Sequence, residues 1–142
     1  MQISSRFSVA VHVLTLLAVT PAGELLTSDR MAGSVNTNPV VIRRILGQLK
    51  KAGLVEVRAA AGGTYLRRAA ADITLLDVYR AVEVVEGSLF SVHDKPNPKC
   101  PVGRNIQAAL DDTLRRAQAA LEQELAGVSV AQVAAGMGEL VS

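Results

Sequence analysis

Arginine is the residue type with the clearest chemical potential in the first half of the chain. Arg43 and Arg44 are adjacent, Arg67 and Arg68 form a second pair, and Arg58 lies between the two pairs. A guanidinium fork can donate two hydrogen bonds to the O6 and N7 atoms of guanine, and it binds phosphate in a similar bidentate way. These residues therefore favour contacts with a polyanion.

A second candidate for chemistry is Cys100, the single cysteine, which follows His93 and Asp94 in the chain. The three could be drawn as a catalytic trio, but no nucleophile motif or oxyanion site accompanies them, so we predict that the protein is not an enzyme. Cys100 follows Lys99 and precedes a predicted helix, and both features favour the thiolate. It is a candidate redox switch, and the alternative is an unreactive thiol.

Cysteine count and hydropathy bear on the compartment. One cysteine cannot form an intrachain disulfide, which fits a reducing cytoplasm. The apolar run 7–19 is too short to span a membrane and lacks the flanks of a signal peptide, so we expect a buried helix. Within it, His12 is predicted to be a core histidine bonded to the backbone. Neither histidine suggests a metal site.

Charge is distributed unevenly along the chain. Residues 1–68 hold nine basic and three acidic side chains, a net charge of +6. Residues 69–142 hold six basic and ten acidic side chains, a net charge of −4, so that the total is +2. This asymmetry directs the first half toward a polyanion and leaves the second half for other contacts.

Helices are predicted to position the first arginine pair. A first helix is expected over 6–19 and a short second helix over 28–34. Residues 35–38 predict a turn, because Asn tolerates left-handed backbone and hydrogen-bonds its neighbours. Asn38 followed by Pro39 is typical of a helix start, with a capping side chain and then proline at the first helical position.

The third helix carries apolar residues at i, i+3, i+4 and i+7, so that one stripe faces the core and Arg43 and Arg44 fall outside it. Gly53 is expected to end it. Two β-capable runs, 54–58 and 64–67, are joined by a glycine turn and predict a hairpin. This order of elements is that of a winged helix-turn-helix. The predicted core stripe consists of Ile42, Ile45, Leu46 and Leu49.

In a winged helix-turn-helix, the second helix of the pair enters the major groove of DNA. Side chains near its amino end lie closest to base edges, whereas arginines of the wing contact phosphate or the minor groove. The predicted DNA-contacting residues are Thr37, Asn38, Val40, Arg43, Arg44, Arg58, Arg67 and Arg68.

The second half of the chain predicts a different kind of surface. Thr74 with Asp77 opens a helix that Gly87 is expected to end, and residues 86–103 predict a proline-rich loop. A long helix follows over 104–126, and a protruding helix with an apolar seam usually packs on its symmetry mate. The predicted dimer interface consists of Ile106, Leu110, Ala117, Leu121 and Leu125.

The predicted fold is therefore mainly α with a small β-hairpin. Residues 1–85 form a winged helix-turn-helix head, residues 86–103 form a loop, and residues 104–142 form a dimerisation helix with a carboxy-terminal tail.

Three segments resemble the Rrf2 family of bacterial regulators. They are the run 36–55, which contains Ala-Gly-Leu-Val, the run 58–66 with its Gly-Gly pair, and the run 73–82 with Thr-Leu-Leu-Asp-Val. The segment Asn-Pro-Lys-Cys-Pro-Val-Gly over 97–103 is similar to a subgroup that lacks a cluster. The resemblance implies a dimer joined through the long carboxy-terminal helices, with two winged heads that bind a palindromic operator.

The resemblance also raises the matter of a cofactor. Well-known members of the family bind an iron–sulfur cluster through three cysteines in the loop before the dimer helix, whereas this sequence keeps only Cys100, which matches the last of them. Because a cluster needs about four ligands, typically thiolates, we expect no cofactor. Cluster-type members often have an acidic residue where this chain has Arg43, which leaves the DNA sequence preference open.

Together these features predict a cytoplasmic, sequence-specific DNA-binding transcriptional regulator. It is expected to be a repressor that binds double-stranded DNA as a homodimer, contacts no membrane, and is open to redox modulation through Cys100. No feature names a small-molecule effector. One alternative is a winged-helix module that binds a protein instead of DNA, and another is a thiol enzyme that would lose turnover on Cys100→Ser.

Overall fold

The computed structural model of the chain describes residues 5–21, 23–58, 63–83 and 95–137. It confirms a mainly helical fold with one two-stranded antiparallel sheet. A short 3₁₀ turn precedes the fourth helix. The elements are α1 (Ser5–Val19), α2 (Ser28–Val35), α3 (Pro39–Lys51), β1 (Val55–Val57), β2 (Thr64–Leu66), α4 (Leu75–Val82), α5 (Pro101–Ala126) and α6 (Val130–Gly136).

The limits of α2 and α3 follow from local hydrogen bonding. Thr27 caps α2, since its hydroxyl accepts a hydrogen bond from the Arg30 N–H at 3.2 Å. Asn36 ends α2 in the left-handed conformation, with φ of 63°. After α3, Gly53 has φ of 79°, a conformation that glycine adopts without strain. The predicted positions of the turn and of both helices are confirmed.

The hairpin formed by β1 and β2 is attached to the core through one face. Its strands pair Val55 with Leu66, Glu56 with Tyr65 and Val57 with Thr64. Val55 and Thr64 are buried, as is Leu54 immediately before β1. The glycine turn predicted between the strands spans residues 59–63, of which 59–62 lie outside the described residues, and Gly63 has a positive φ of 118°.

Two predicted boundaries in the second half differ from the structure. The helix α4 has the predicted capping box, in which Thr74 and Asp77 exchange side-chain and backbone hydrogen bonds, but it ends at Val82 and not at Gly87. The helix α5 begins at Pro101, whereas the sequence placed its start at residue 104. Proline is well suited to the first helical position, because it has no N–H to leave unpaired there.

The short helix α6 belongs to the core of the head, although the sequence placed it in the dimerisation segment 104–142. Val130 is fully buried within the hydrophobic core, and α6 packs on α1. Backbone hydrogen bonds of 2.8 Å join Val130 N–H to the Ile73 carbonyl and Leu75 N–H to the Val128 carbonyl. The chain therefore returns to the head after α5.

The helix α5, unlike the other helices, contributes no buried residue to the core. It has 26 residues, none of which is buried, and α4 is its main neighbour. At a rise of 1.5 Å per residue it is about 39 Å long.

Val130→Ala tests whether α6 is part of the core. We expect a loss of about 2 kcal/mol in the free energy of unfolding, because two buried methyl groups are removed and a cavity remains. Val102→Ala is the matched control, since Val102 is 67% exposed. Urea denaturation measures both variants, and equal small effects would contradict the placement of α6.

Candidate nucleic-acid interface

The helix α3 presents two chemically different faces. Its four predicted core residues are all buried, and Ile42 and Leu49 have no exposed surface. The opposite stripe contains Val40, Arg43, Arg44 and Gly47 at i, i+3, i+4 and i+7, and all four are exposed. Burial of one stripe therefore fixes the other toward solvent.

The arginines of this exposed stripe have no competing partner in the part of the chain that the structure describes. Within the described residues, neither Arg43 nor Arg44 forms an ion pair or a side-chain hydrogen bond. Lys50 and Lys51 extend the exposed basic surface at the end of the helix. The guanidinium groups remain free to donate to an external acceptor such as a base edge or a phosphate.

The start of α3 is held by Asn38. Its Oδ1 atom accepts a hydrogen bond of 2.8 Å from the Val40 N–H, and its side-chain NH₂ group has no hydrogen-bond partner among the described residues. The Thr37 N–H donates to the Ala32 carbonyl at 3.0 Å, so the turn is tied back to α2. Val40 is 51% exposed just beyond this cap and offers an apolar surface for a thymine methyl group.

Gly47 is a member of the exposed stripe that was not among the predicted DNA-contacting residues. A glycine inside a helix costs about 1 kcal/mol relative to alanine. Nothing in the described structure requires it, because a Cβ at position 47 would have no atom within 4 Å. A missing side chain on this face allows a phosphate backbone to approach the helix closely. The i, i+3, i+4, i+7 spacing from Val40 was the signal that could have found it.

The three predicted wing arginines lie in different environments. Arg58 is held on the surface of the hairpin, since its guanidinium group is 2.8 Å from Glu56 Oε1 and 4.3 Å above the Tyr65 ring. Its side chain remains 56% exposed. Arg67 is exposed and forms no ion pair or side-chain hydrogen bond in the described part of the chain.

Arg68 is turned toward the head instead. It donates a short hydrogen bond to the Asp72 carbonyl and lies 3.5 Å from Asp77 Oδ2. Asp77 is also the capping-box residue of α4, so Arg68 connects the end of the hairpin to the start of that helix. Of the three wing arginines, Arg67 is the one without an ion pair or a side-chain hydrogen bond among the described residues.

The predicted dimer residues share one side of α5. Leu110 is 39% exposed and Ala117 is exposed, whereas Ile106, Leu121 and Leu125 are half-buried. Leu114 was missed by the sequence prediction, although its spacing of four from Leu110 places it on the same side. The opposite side carries ion pairs of 3.0 Å between Arg115 and Asp111 and of 3.2 Å between Arg116 and Asp112.

Cys100 is exposed and occupies the N-cap position of α5, without a side-chain capping hydrogen bond. The backbone N–H groups of Gly103, and to a smaller extent Val102, lower the pKa of the Cys100 thiol from its ordinary value. The turn before it is compact, since a Cβ at position 103 would lie 2.5 Å from the Asn97 carbonyl oxygen. His93 and Asp94, the other members of the rejected trio, lie outside the described residues.

The described ranges hold no group of three or more His, Cys, Asp or Glu side chains placed to bind a metal ion. Nor does any helix in those ranges have both the length and the apolar character to cross a membrane.

A helix-turn-helix with a two-stranded wing and an outward basic helix defines a transcriptional regulator of the winged helix-turn-helix class. The chain belongs to the Rrf2 family, whose model is described as an iron-dependent transcriptional regulator and matches residues 3–136. The family and the relatives of the chain are transcriptional regulators and not enzymes.

Similar proteins cover nearly the whole chain. A Bacillus subtilis protein named as an HTH-type transcriptional regulator, YwnA, is 50% identical over 131 residues, which are 92% of this chain and 96% of that protein. A crystal structure described as a DNA-binding protein has 46% identity and a TM-score of 0.73, covering 91% of this chain and 98% of the other. CymR (YrzC), the global cysteine regulator of B. subtilis, shares the fold at 18% identity, with a TM-score of 0.72 over 95% of this chain and 97% of its own.

Proposed function

We propose that the protein is a homodimeric repressor that binds a palindromic operator in the cytoplasm. The observation that carries the proposal is the exposed stripe of α3, on which Arg43 and Arg44 have no partner in the described residues. Arginine bound to guanine is the commonest specific contact in the major groove. Repression needs only occupancy of a promoter, which a DNA-binding head and a pairing helix are sufficient to supply.

The exposed apolar side of α5 supports the homodimer. A helix of 26 residues with no buried side chain gains little from its own head, and Leu110 and Val102 leave apolar surface in water. Pairing with a second copy would bury this surface and relate the two heads by a two-fold axis. Two such heads match half-sites about one helical turn, roughly 34–36 Å, apart.

The DNA proposal is tested by selecting preferred sequences from a pool of random duplexes and titrating the product by fluorescence anisotropy at several salt concentrations. Arg43→Ala is expected to cost about 1–3 kcal/mol of discrimination at one base pair. Arg67→Ala should instead weaken binding to all duplexes and lower the salt slope by about one.

Arg68→Ala is the matched control for these variants. Its guanidinium group is bonded within the head, so we expect DNA affinity to be retained and the free energy of unfolding to fall by up to about 1 kcal/mol. Absence of any salt-dependent, sequence-selective binding would contradict the proposal and favour a winged-helix module that binds a protein.

Leu110→Glu tests the pairing surface. A buried, unpaired carboxylate on the apolar side of α5 should convert the dimer to a monomer, as measured by sedimentation equilibrium. Ala108→Glu introduces the same charge at an exposed position outside the apolar side and should leave the dimer intact. A monomeric wild-type protein, or equal effects of both variants, would contradict dimerisation through α5.

We further propose that the regulator works without an iron–sulfur cluster and that Cys100 provides its redox response. One cysteine supplies too few thiolates for a cluster, and the lowered pKa of Cys100 increases the reactive thiolate at neutral pH. Cys100 occupies the N-cap position of the proposed pairing helix, so oxidation there would alter the charge at the start of α5.

The rate of iodoacetamide alkylation as a function of pH tests the thiol. Because the pKa is lowered, the rate should reach half of its maximum below the ordinary pKa of cysteine and should fall as pH drops through that lowered value. Cys100→Ser removes the labelling site and should make DNA binding insensitive to hydrogen peroxide. A half-maximal rate at or above the ordinary thiol pKa would contradict this part of the proposal.

A further inference from the structure

A pocket of about 360 Å³ lies among α1, α2 and α6, on a part of the head that the DNA-contacting residues do not use. Its walls are predominantly apolar, with Val11, Leu16 and Val19 from α1 and Val133 and Met137 from α6. This volume falls within the range of about 300–1,000 Å³ that is usual for small-molecule sites.

One polar pair lies in this apolar wall. His12 Nε2 and Ser34 Oγ are 2.9 Å apart and join α1 to α2, so the prediction that His12 bonds to the backbone was wrong. The other hydroxyl groups of the pocket are used locally, since Thr15 donates to the Val11 carbonyl at 2.7 Å and Ser8 to the Ser5 carbonyl at 3.1 Å. The imidazole and the Ser34 hydroxyl are therefore the groups that can orient a ligand.

The residues that line the pocket favour an uncharged ligand. No Asp, Glu, Lys or Arg is among the described residues that line it. A formally charged molecule would lose its hydration there without gaining a counter-charge from a carboxylate, ammonium or guanidinium group. An uncharged molecule would bury its apolar surface and use its single polar group on the histidine–serine pair.

The position of Ser34 connects this pocket to the DNA-binding elements. Ser34 lies in the last turn of α2, directly before the turn that leads to Asn38 and α3. That turn depends on hydrogen bonds from Asn36 and Thr37 to the Ala32 carbonyl. A ligand that takes a hydrogen bond from Ser34 would therefore act on the geometry of the helix-turn-helix.

We propose that this pocket is an effector site for a small, uncharged, largely apolar molecule with one hydrogen-bonding group, and that its occupancy alters DNA binding. The coupling to DNA rests on the proposed function, whereas the binding site does not.

Indole is a suitable probe, because it is uncharged and aromatic and carries one N–H donor. The protein has no tryptophan, so indole fluorescence can be followed without interference when it is excited at wavelengths that its two tyrosines do not absorb. We expect a saturable fluorescence change with the full-length protein and much weaker binding of the indoleacetate anion. Val133→Phe, which fills the pocket, and His12→Leu, which removes its polar group, should each weaken indole binding about tenfold.

Ala135→Phe is the control, since Ala135 is exposed on α6 and does not line the pocket. Circular dichroism verifies that each variant is folded. Absence of saturable binding, or affinity unchanged in both Val133→Phe and His12→Leu, would overturn the proposal. A second copy of the chain would occupy the pocket if Val133→Phe dissociated the dimer and the wild-type protein did not bind indole. That result would also overturn the proposal.

A second arm separates this proposal from the proposed function. Saturating indole should change the affinity for the selected duplex about fivefold or more, and the duplex should change indole affinity by the same factor. Ser34→Ala should abolish that reciprocal effect. If the protein bound indole but not DNA, only the proposed DNA-binding function would be refuted. If bound indole left DNA affinity unchanged, only the proposed coupling between the pocket and DNA binding would be refuted.

Discussion

Burial of one stripe of α3 is the interaction on which the rest of the structure depends. Ile42, Ile45 and Leu49 insert into a core that also receives α1, α2, α4 and α6. Burying side chains of this size contributes about 1.5–3 kcal/mol each, far more than any surface ion pair of the chain. Because the helix has a fixed period, this burial leaves Arg43 and Arg44 no orientation except outward. The orientation of the proposed DNA-contacting face is thus a consequence of core packing.

The ends of the head are joined by polar contacts around one short segment. Arg68 links the hairpin to Asp77, and Thr74 with Asp77 caps α4. The strand-like bridge between Thr74 and Ser129 brings the end of α5 to the same place. Hairpin, α4 and α5 therefore meet at the 73–77 segment. Through it, the orientation of the proposed pairing helix is fixed relative to the wing, which a regulator that spans two half-sites requires.

Local signals were sufficient wherever one residue type has one strong conformational preference. Asn38 with Pro39, Gly53, and Thr74 with Asp77 each placed a helix limit correctly, because capping and left-handed backbone are decided within a few residues. The helix α5 begins three residues before its predicted start, because Pro101 favours a first helical position as well as a loop. The predicted dimer interface lacks Leu114 and the predicted DNA-contacting residues lack Gly47, although the helical spacing of both is visible in the sequence.

The sequence by itself determined the order of elements, the buried and exposed sides of α3, the basic head and the single thiol, because periodicity, capping and charge are properties of neighbours in the chain. Only the tertiary structure decided that α6 returns to the core, that Arg68 is bonded inside the head while Arg67 is not, and that His12 meets Ser34 across the pocket. Some of these contacts join residues that are distant in sequence, and the others distinguish adjacent side chains of the same type, such as Arg67 and Arg68. Both kinds depend on which surfaces are brought together when the core forms.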